Sequence, residues 1–222
     1  MKIKTLIFFI KHVSFIKTLR FNFKYLSLNE AILLPVFISR KTRYSNLGGK
    51  VIIQANKKTM GMIQIGFGNV PIFDRRYSRT VWNNTGNIVF KGKTCIGHGS
   101  KIGCGGNLIF GNNTIITAES MIVCDNEITF GDDVLLSWGI QIMDTDFHKV
   151  IINNKIQNPN AKVEIGNHTW IGSRVTINKG VILPDNTIVA AGSVVTKSFI
   201  EQNTLIGGIP AKVLRSDVKW EI

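Results

Sequence analysis

The residues best suited to chemistry stand close together, in the run Asp144-Thr145-Asp146-Phe147-His148. A neutral imidazole accepts a proton near pH 7, the task of a general base when a hydroxyl is made nucleophilic. Asp144 or Asp146 could hold the ring tautomer or contact a sugar hydroxyl. The plain alternative is a loop histidine beside turn-forming aspartates. The other histidines offer less. His12 lies in a basic N-terminal segment, and His98 and His168 follow apolar repeat positions where side chains are expected to point to solvent.

The surrounding chain shows what must position these groups. From Glu164 to Lys197 the residues Ile165, Ile171, Ile177, Leu183, Val189 and Val195 recur every six residues. That period matches neither a helix nor a strand. It fits very short strands joined by tight turns, stacked as the coils of a parallel β-helix in which each coil is buried by its neighbours. Ile96, Ile102, Phe110, Ile116, Ile122, Phe130, Leu136 and Ile142 keep the same register with two slips. The repeat stops between Ile142 and Val163 and then resumes, so residues 144–162 are expected to be extruded as a loop. A loop of that length inside a compact repeat is usually functional.

Four regions follow: a basic aromatic segment at 1–45, irregular strands at 46–86 capping the solenoid, the β-helix at 87–204, and a C-terminal helix or tail at 205–222. The terminal helix is suggested by Pro210 at the front of Ala211-Lys212-Val213-Leu214-Arg215. The fold class is all-β.

Of the 222 residues, 44% are hydrophobic and 18% charged, enough for a core and unlike a disordered chain. Net charge is +13, and residues 1–45 carry nine basic side chains against one acid, Glu30. With Phe8, Phe9, Phe15, Phe21, Phe23 and Tyr25 among the lysines, this segment suits the headgroup region of an acidic membrane, or else packs on the solenoid. Nucleic acid is not expected as a partner. The apolar run Leu6 to Ile10 is short for a signal peptide and Ala31 to Ser39 is too short to span a bilayer, so a cytoplasmic, peripheral protein is expected. Three cysteines, Cys95, Cys104 and Cys124, suit a reducing compartment, and the absence of Cys-x-x-Cys argues against structural zinc.

The hexads, the extruded histidine loop, and the segments Trp170-Ile171-Gly172-Ser173, Ala191-Gly192-Ser193-Val194-Val195-Thr196-Lys197 and Gly208-Ile209-Pro210-Ala211-Lys212-Val213-Leu214-Arg215 together resemble the hexapeptide-repeat acyltransferases. The likeness covers residues 87–215 and is nearest to the branch of sugar and surface-polysaccharide O-acetyltransferases. It implies a left-handed β-helix, a homotrimer with sites between rods, and acetyl-coenzyme A as donor, with no metal. His148 matches the family's catalytic histidine. Trp170 and Ser173 match positions along the acetyl and pantetheine channel, with Trp170 also near the acceptor. Ala191 matches a backbone contact to the pantetheine arm, and Thr196, Lys197, Lys212 and Arg215 match the nucleotide end. His148-Lys149 replaces a frequent His-Pro, and the basic aromatic segment replaces the acceptor-binding helices of the sugar enzymes. Both departures shift the expected acceptor from a free sugar toward a saccharide on a lipid carrier. An antibiotic, an amino-sugar nitrogen, or a non-catalytic binding role are the competing expectations.

Overall fold

The computed structural model describes residues 12–68, 70–74 and 76–221. The repeating apolar residues stack in three sheets that form the sides of a three-faced rod, of nine, seven and six strands, all parallel except the last strand of the first. Along the first face Ile38, Ile65, Ile96, Ile116, Leu136, Ile171, Val189 and Ile206 lie in register, one per coil. The second face aligns Trp82, Ile102, Ile122, Ile142, Ile177 and Val195, and the third pairs Ile53 with Phe90 and Phe130 with Ile165. These side chains are buried and form one continuous core. Phe90, Phe110 and Phe130 stack face to face within it, with ring centroids 5.3 and 5.4 Å apart.

Three expectations need correction. The coils begin at the strand Val36–Ile38, well before residue 87. The strands Thr42–Leu47, Lys50–Ile53, Ile63–Phe67 and Thr80–Asn84 belong to the same faces as the later ones. Their inward residues alternate normally, but long connections at 54–62 and 68–79 break the six-residue spacing. Residues 205–215 form an antiparallel hairpin in place of a helix, the strand Leu205–Gly208 pairing with Ala211–Arg215. Pro210 sits in its turn, and the return strand covers the last edge of the first face, whose backbone groups would otherwise lack partners. Nor do His98 and His168 point to solvent. His98 is buried, and the His168 ring stacks on Trp220 at 4.5 Å.

The N-terminal end is closed by side chains together with the backbone of residues 12–14, the Ser14 N–H donating to the Ile38 carbonyl at 2.8 Å. The helix α1 (Phe15–Tyr25) lays Phe21 against Trp82, with ring centroids 5.2 Å apart. The Asn22 amide donates to the Val36 carbonyl at 2.8 Å and its oxygen accepts the Val36 N–H at 3.2 Å, while Thr18 Oγ1 accepts the Ile38 N–H at 3.1 Å. A carboxamide thereby stands in for a pairing strand at the open sheet edge. This face of the segment packs on the solenoid. Phe15, Ile16 and Phe23 stay exposed, as do Leu28 in the short helix α2 (Leu28–Ala31) and Ile32 and Leu33 after it. The run Leu6 to Ile10 lies outside the described residues. Among the described residues no helix is long and apolar enough to cross a membrane.

Candidate active site

The corner between the second and third faces builds the loop. In the earlier coils it is widened by Gly105-Gly106 and Asp125-Asn126, which accounts for the slips in the hexads, and Cys124 lies in register with Cys104 there. At the next coil the loop leaves at Asp144. This residue is fully buried, its Oδ1 accepting the Asp125 N–H at 2.7 Å and its Oδ2 the Asn126 N–H at 2.8 Å. Asp144, expected to orient the base or contact the acceptor, is instead the pin that anchors the loop to the coil below.

Beyond the pin the loop is not structureless. Ile151–Ile152 and Lys155–Ile156 pair as an antiparallel hairpin turned by Asn153 and Asn154 at φ 50° and 59°. That left-handed backbone is one Asn tolerates better than most residues. Asp146 accepts hydrogen bonds from Lys179 Nζ at 2.6 Å and Asn158 Nδ2 at 2.8 Å. The Lys179 bond, then the Asn158 bond, hold its carboxyl below the usual aspartate range. Asn158 also donates to the His148 carbonyl at 2.9 Å, so the Asp146–Asn158–Lys179 cluster fixes the backbone carrying the imidazole. Sequence reasoning missed Lys179 and Asn158. Lys179 follows Ile177 at the same corner one coil on, and that register was the available signal.

His148 is exposed and lines a cavity of about 410 Å³ with Asp125, Thr145, Phe147, Ile156 and Asn158. Among the described residues its imidazole makes no hydrogen bond, so neither aspartate orients the ring within one chain.

The remaining predicted residues divide between two edges of the rod. Trp170 projects from the first face, its Nε1 donating to Ser137 Oγ at 3.2 Å. Ser173 and Ala191 follow at the corner between the first and second faces, stacked so closely that a Cβ on Gly172 would stand 2.7 Å from the Ala191 nitrogen. The backbone N–H groups of Gly172, Arg174, Ala190 and Gly192 are taken up by neighbouring coils, whereas those of Ser173 and Ala191 enter no backbone hydrogen bond among the described residues. Lys212 lies opposite Gly207 at this corner, and Arg215 at the far end of the hairpin. Thr196 and Lys197 lie with His148 at the other corner, after the strand Val194–Val195. A single chain therefore does not bring His148 to Ser173 and Ala191.

Cysteine chemistry is poorly served. Cys104 and Cys124 are buried, and desolvation pushes the Cys95 thiol up to about 11. Among the described residues no group of three or more His, Cys, Asp or Glu could hold a metal.

The architecture defines a class, a left-handed parallel β-helix with an extruded histidine loop. Residues 162–197 match the bacterial transferase hexapeptide (six repeats) family. Galactoside O-acetyltransferase of Escherichia coli is 49% identical over 53 residues, 24% of this chain and 26% of that protein. An uncharacterized 24.8 kDa protein in the cps region of Klebsiella pneumoniae is 34% identical over 87 residues, 39% of each chain. The chain thus spans well under half the length of these curated relatives. The crystal structure of the polySia specific acetyltransferase NeuO superposes with a TM-score of 0.61 over 82% of this chain and 89% of that one, at 19% identity, which establishes the shared fold.

Proposed function

We propose that the protein transfers the acetyl group of acetyl-coenzyme A to a hydroxyl of a saccharide, with His148 as general base. The observation that carries this reading is an imidazole on a braced loop, lining a cavity, in a chain whose residues 162–197 match the bacterial transferase hexapeptide family. The donor's phosphates need cations, and Lys197, Lys212 and Arg215 are exposed. The N–H groups of Ser173 and Ala191 are the available donors for an oxyanion, a contribution often worth about 3 kcal/mol each. In the reaction His148 takes the hydroxyl proton as that oxygen bonds to the thioester carbonyl carbon. The carbon–sulfur bond then breaks, and the proton passes to the departing sulfur. The buried or unactivated cysteines favour direct transfer without an acyl-enzyme.

Because His148 and Ser173 stand at different corners, the reading requires a neighbouring copy, and a homotrimer with the site between rods supplies one. The acceptor in this reading is a surface-polysaccharide precursor presented on a lipid carrier. The apolar side chains left exposed on α1 and α2, beside Arg20 and Lys24, support contact of this end with an acidic membrane.

Replacing His148 with Ala tests the base. It touches no coil, so melting temperature and coenzyme A binding should hold while acetyl transfer falls by about 100- to 10,000-fold. Near-full turnover by His148→Ala, assayed by mass detection on a panel of hydroxyl and amine acceptors, would remove His148 as the base.

A further inference from the structure

We propose that the N-terminal end of the rod carries a separate anion site, which takes a phosphate or carboxylate group belonging to the acceptor. The identity of that ligand rests on the transferase reading above. The site is a cavity of about 390 Å³ at the corner between the first and second faces, in the earliest coils. Arg40 and Lys41 reach it from the turn after Val36–Ile38, and Arg76 from the long connection that follows Ile63–Phe67. Ser39, Phe67 and His98, all buried, form its floor. No carboxylate lines it among the described residues.

The floor is built rather than incidental. The Ser39 hydroxyl is held 3.1 Å from that of Thr42, and Gly66, at φ 84°, has no room for a Cβ, which would stand 2.3 Å from Ser39 Oγ. Arg40 is fixed at its base, its backbone N–H donating to the His12 carbonyl at 3.0 Å and its Nε to the Val13 carbonyl at 3.4 Å. The Glu119 carboxylate stands 4.0 Å from His98 Nε2, within ion-pair distance, and is not part of the cavity lining. Among the described residues Arg40, Lys41 and Arg76 bring three positive charges to the cavity with no carboxylate in its lining, although the Asp74 carboxylate accepts the Arg76 backbone N–H at 2.8 Å, and an anion in the cavity lowers the repulsion among them. A guanidinium offers paired N–H donors that fit the oxygens of phosphate or carboxylate.

Position separates this site from the donor's phosphates. The cations assigned to coenzyme A lie at the opposite end of the rod. On the first face the strand Thr94–His98, which carries His98, is three places from Trp170–Ile171, about 14 Å at the usual strand spacing. An extended acceptor with its charge in this cavity can lie along the same corner and present a hydroxyl near Ser173. The charge is then either the phosphate of a carrier-linked saccharide or the carboxylate of an acidic sugar.

Titration calorimetry at low salt tests this, with inorganic pyrophosphate in one arm and a hexuronic acid oligosaccharide in the other. The full-length protein should bind at least one of them, and Lys41→Gln/Arg76→Gln should weaken binding tenfold or more. A control, Lys57→Gln/Lys219→Gln, removes the same charge from exposed positions elsewhere and should bind like wild type. The tighter arm assigns the source. Failure of the wild type to bind either probe, or equal weakening in both variants, overturns the site. Coenzyme A titrated into the same proteins should bind wild type and Lys41→Gln/Arg76→Gln alike. Its loss only in that variant would give the cavity to the donor and overturn the acceptor assignment. No coenzyme A binding to any of them, with pyrophosphate binding intact, would refute the transferase reading while keeping the anion site.

Discussion

Asp144 and Asp146 are two residues apart and do unlike work. Asp144 is buried with both oxygens on backbone N–H groups, so Asp144→Ala leaves two donors without their charged acceptor. At about 1–3 kcal/mol for each unsatisfied buried group, the variant should lose about 2 kcal/mol or more in urea unfolding, and a smaller loss would mean that water replaces the carboxylate. Asp146 is exposed, and its depressed carboxyl pKa reflects Lys179 and Asn158. A depressed carboxyl contributes its stabilisation above the unfolded-state value and loses it as pH falls through the folded one. The brace on the loop should therefore persist at neutral and mildly acid pH and fail only in strong acid. In Lys179→Met the Asp146 carboxyl should titrate closer to the ordinary value, readable by carboxyl NMR, and turnover should fall by less than in His148→Ala. An unchanged Asp146 titration would show that Lys179 is not what holds it.

At the scale of elements, the hexads were legible because the large inward residue recurs as an aliphatic one every six positions in the later coils, Ile165 through Val195, with no change in corner length. The early coils were not, since Val51, Ile53, Ile63 and Ile65 alternate correctly but their corners vary in length. The terminal hairpin was hidden for another reason: the need of an exposed strand edge for a partner outweighed local helix preference, and such a need is a property of the assembled sheet. The corner between the third and first faces was also invisible. There Asn112 accepts the Lys93 N–H at 3.0 Å, Asp132 the Asn112 N–H at 2.7 Å, Asn167 the Asp132 N–H at 2.8 Å, and Asp185 the Asn167 N–H at 2.7 Å, each side chain reaching to the coil before. Within the core the Phe90–Phe110–Phe130 stack ties three coils together. Phe110→Ala removes its middle ring, and a loss of about 3–5 kcal/mol is expected in chemical unfolding. A much smaller loss would mean that the neighbouring rings collapse into the space. The site was legible in its chemistry, through His148 and the loop, and not in its supports, because Lys179 and Asn158 are remote in sequence and meet only when the coils are stacked.

At the scale of the whole molecule, the division of the candidate site between two corners makes assembly a functional matter. The protein should elute at three times 24.7 kDa, including in high salt. Co-assembly supplies a sharper check. His148→Ala and Lys212→Glu/Arg215→Glu should each be nearly inactive alone, yet mixed trimers should recover part of the activity, because some interfaces then pair an intact histidine with an intact donor edge. No recovery would place the whole site in one chain. A third consequence belongs to the Asn22 carboxamide on Val36. A rod of identical parallel coils is in principle a growing polymer end, able to template the next copy's first coil and so lengthen into a fibre. The carboxamide occupies the backbone groups that such growth would use, and the terminal hairpin does the same at the far end. These two stops close the first face at both of its ends. Asn22→Leu would reopen one of them, and filament growth seeded from that end is the failure it should produce.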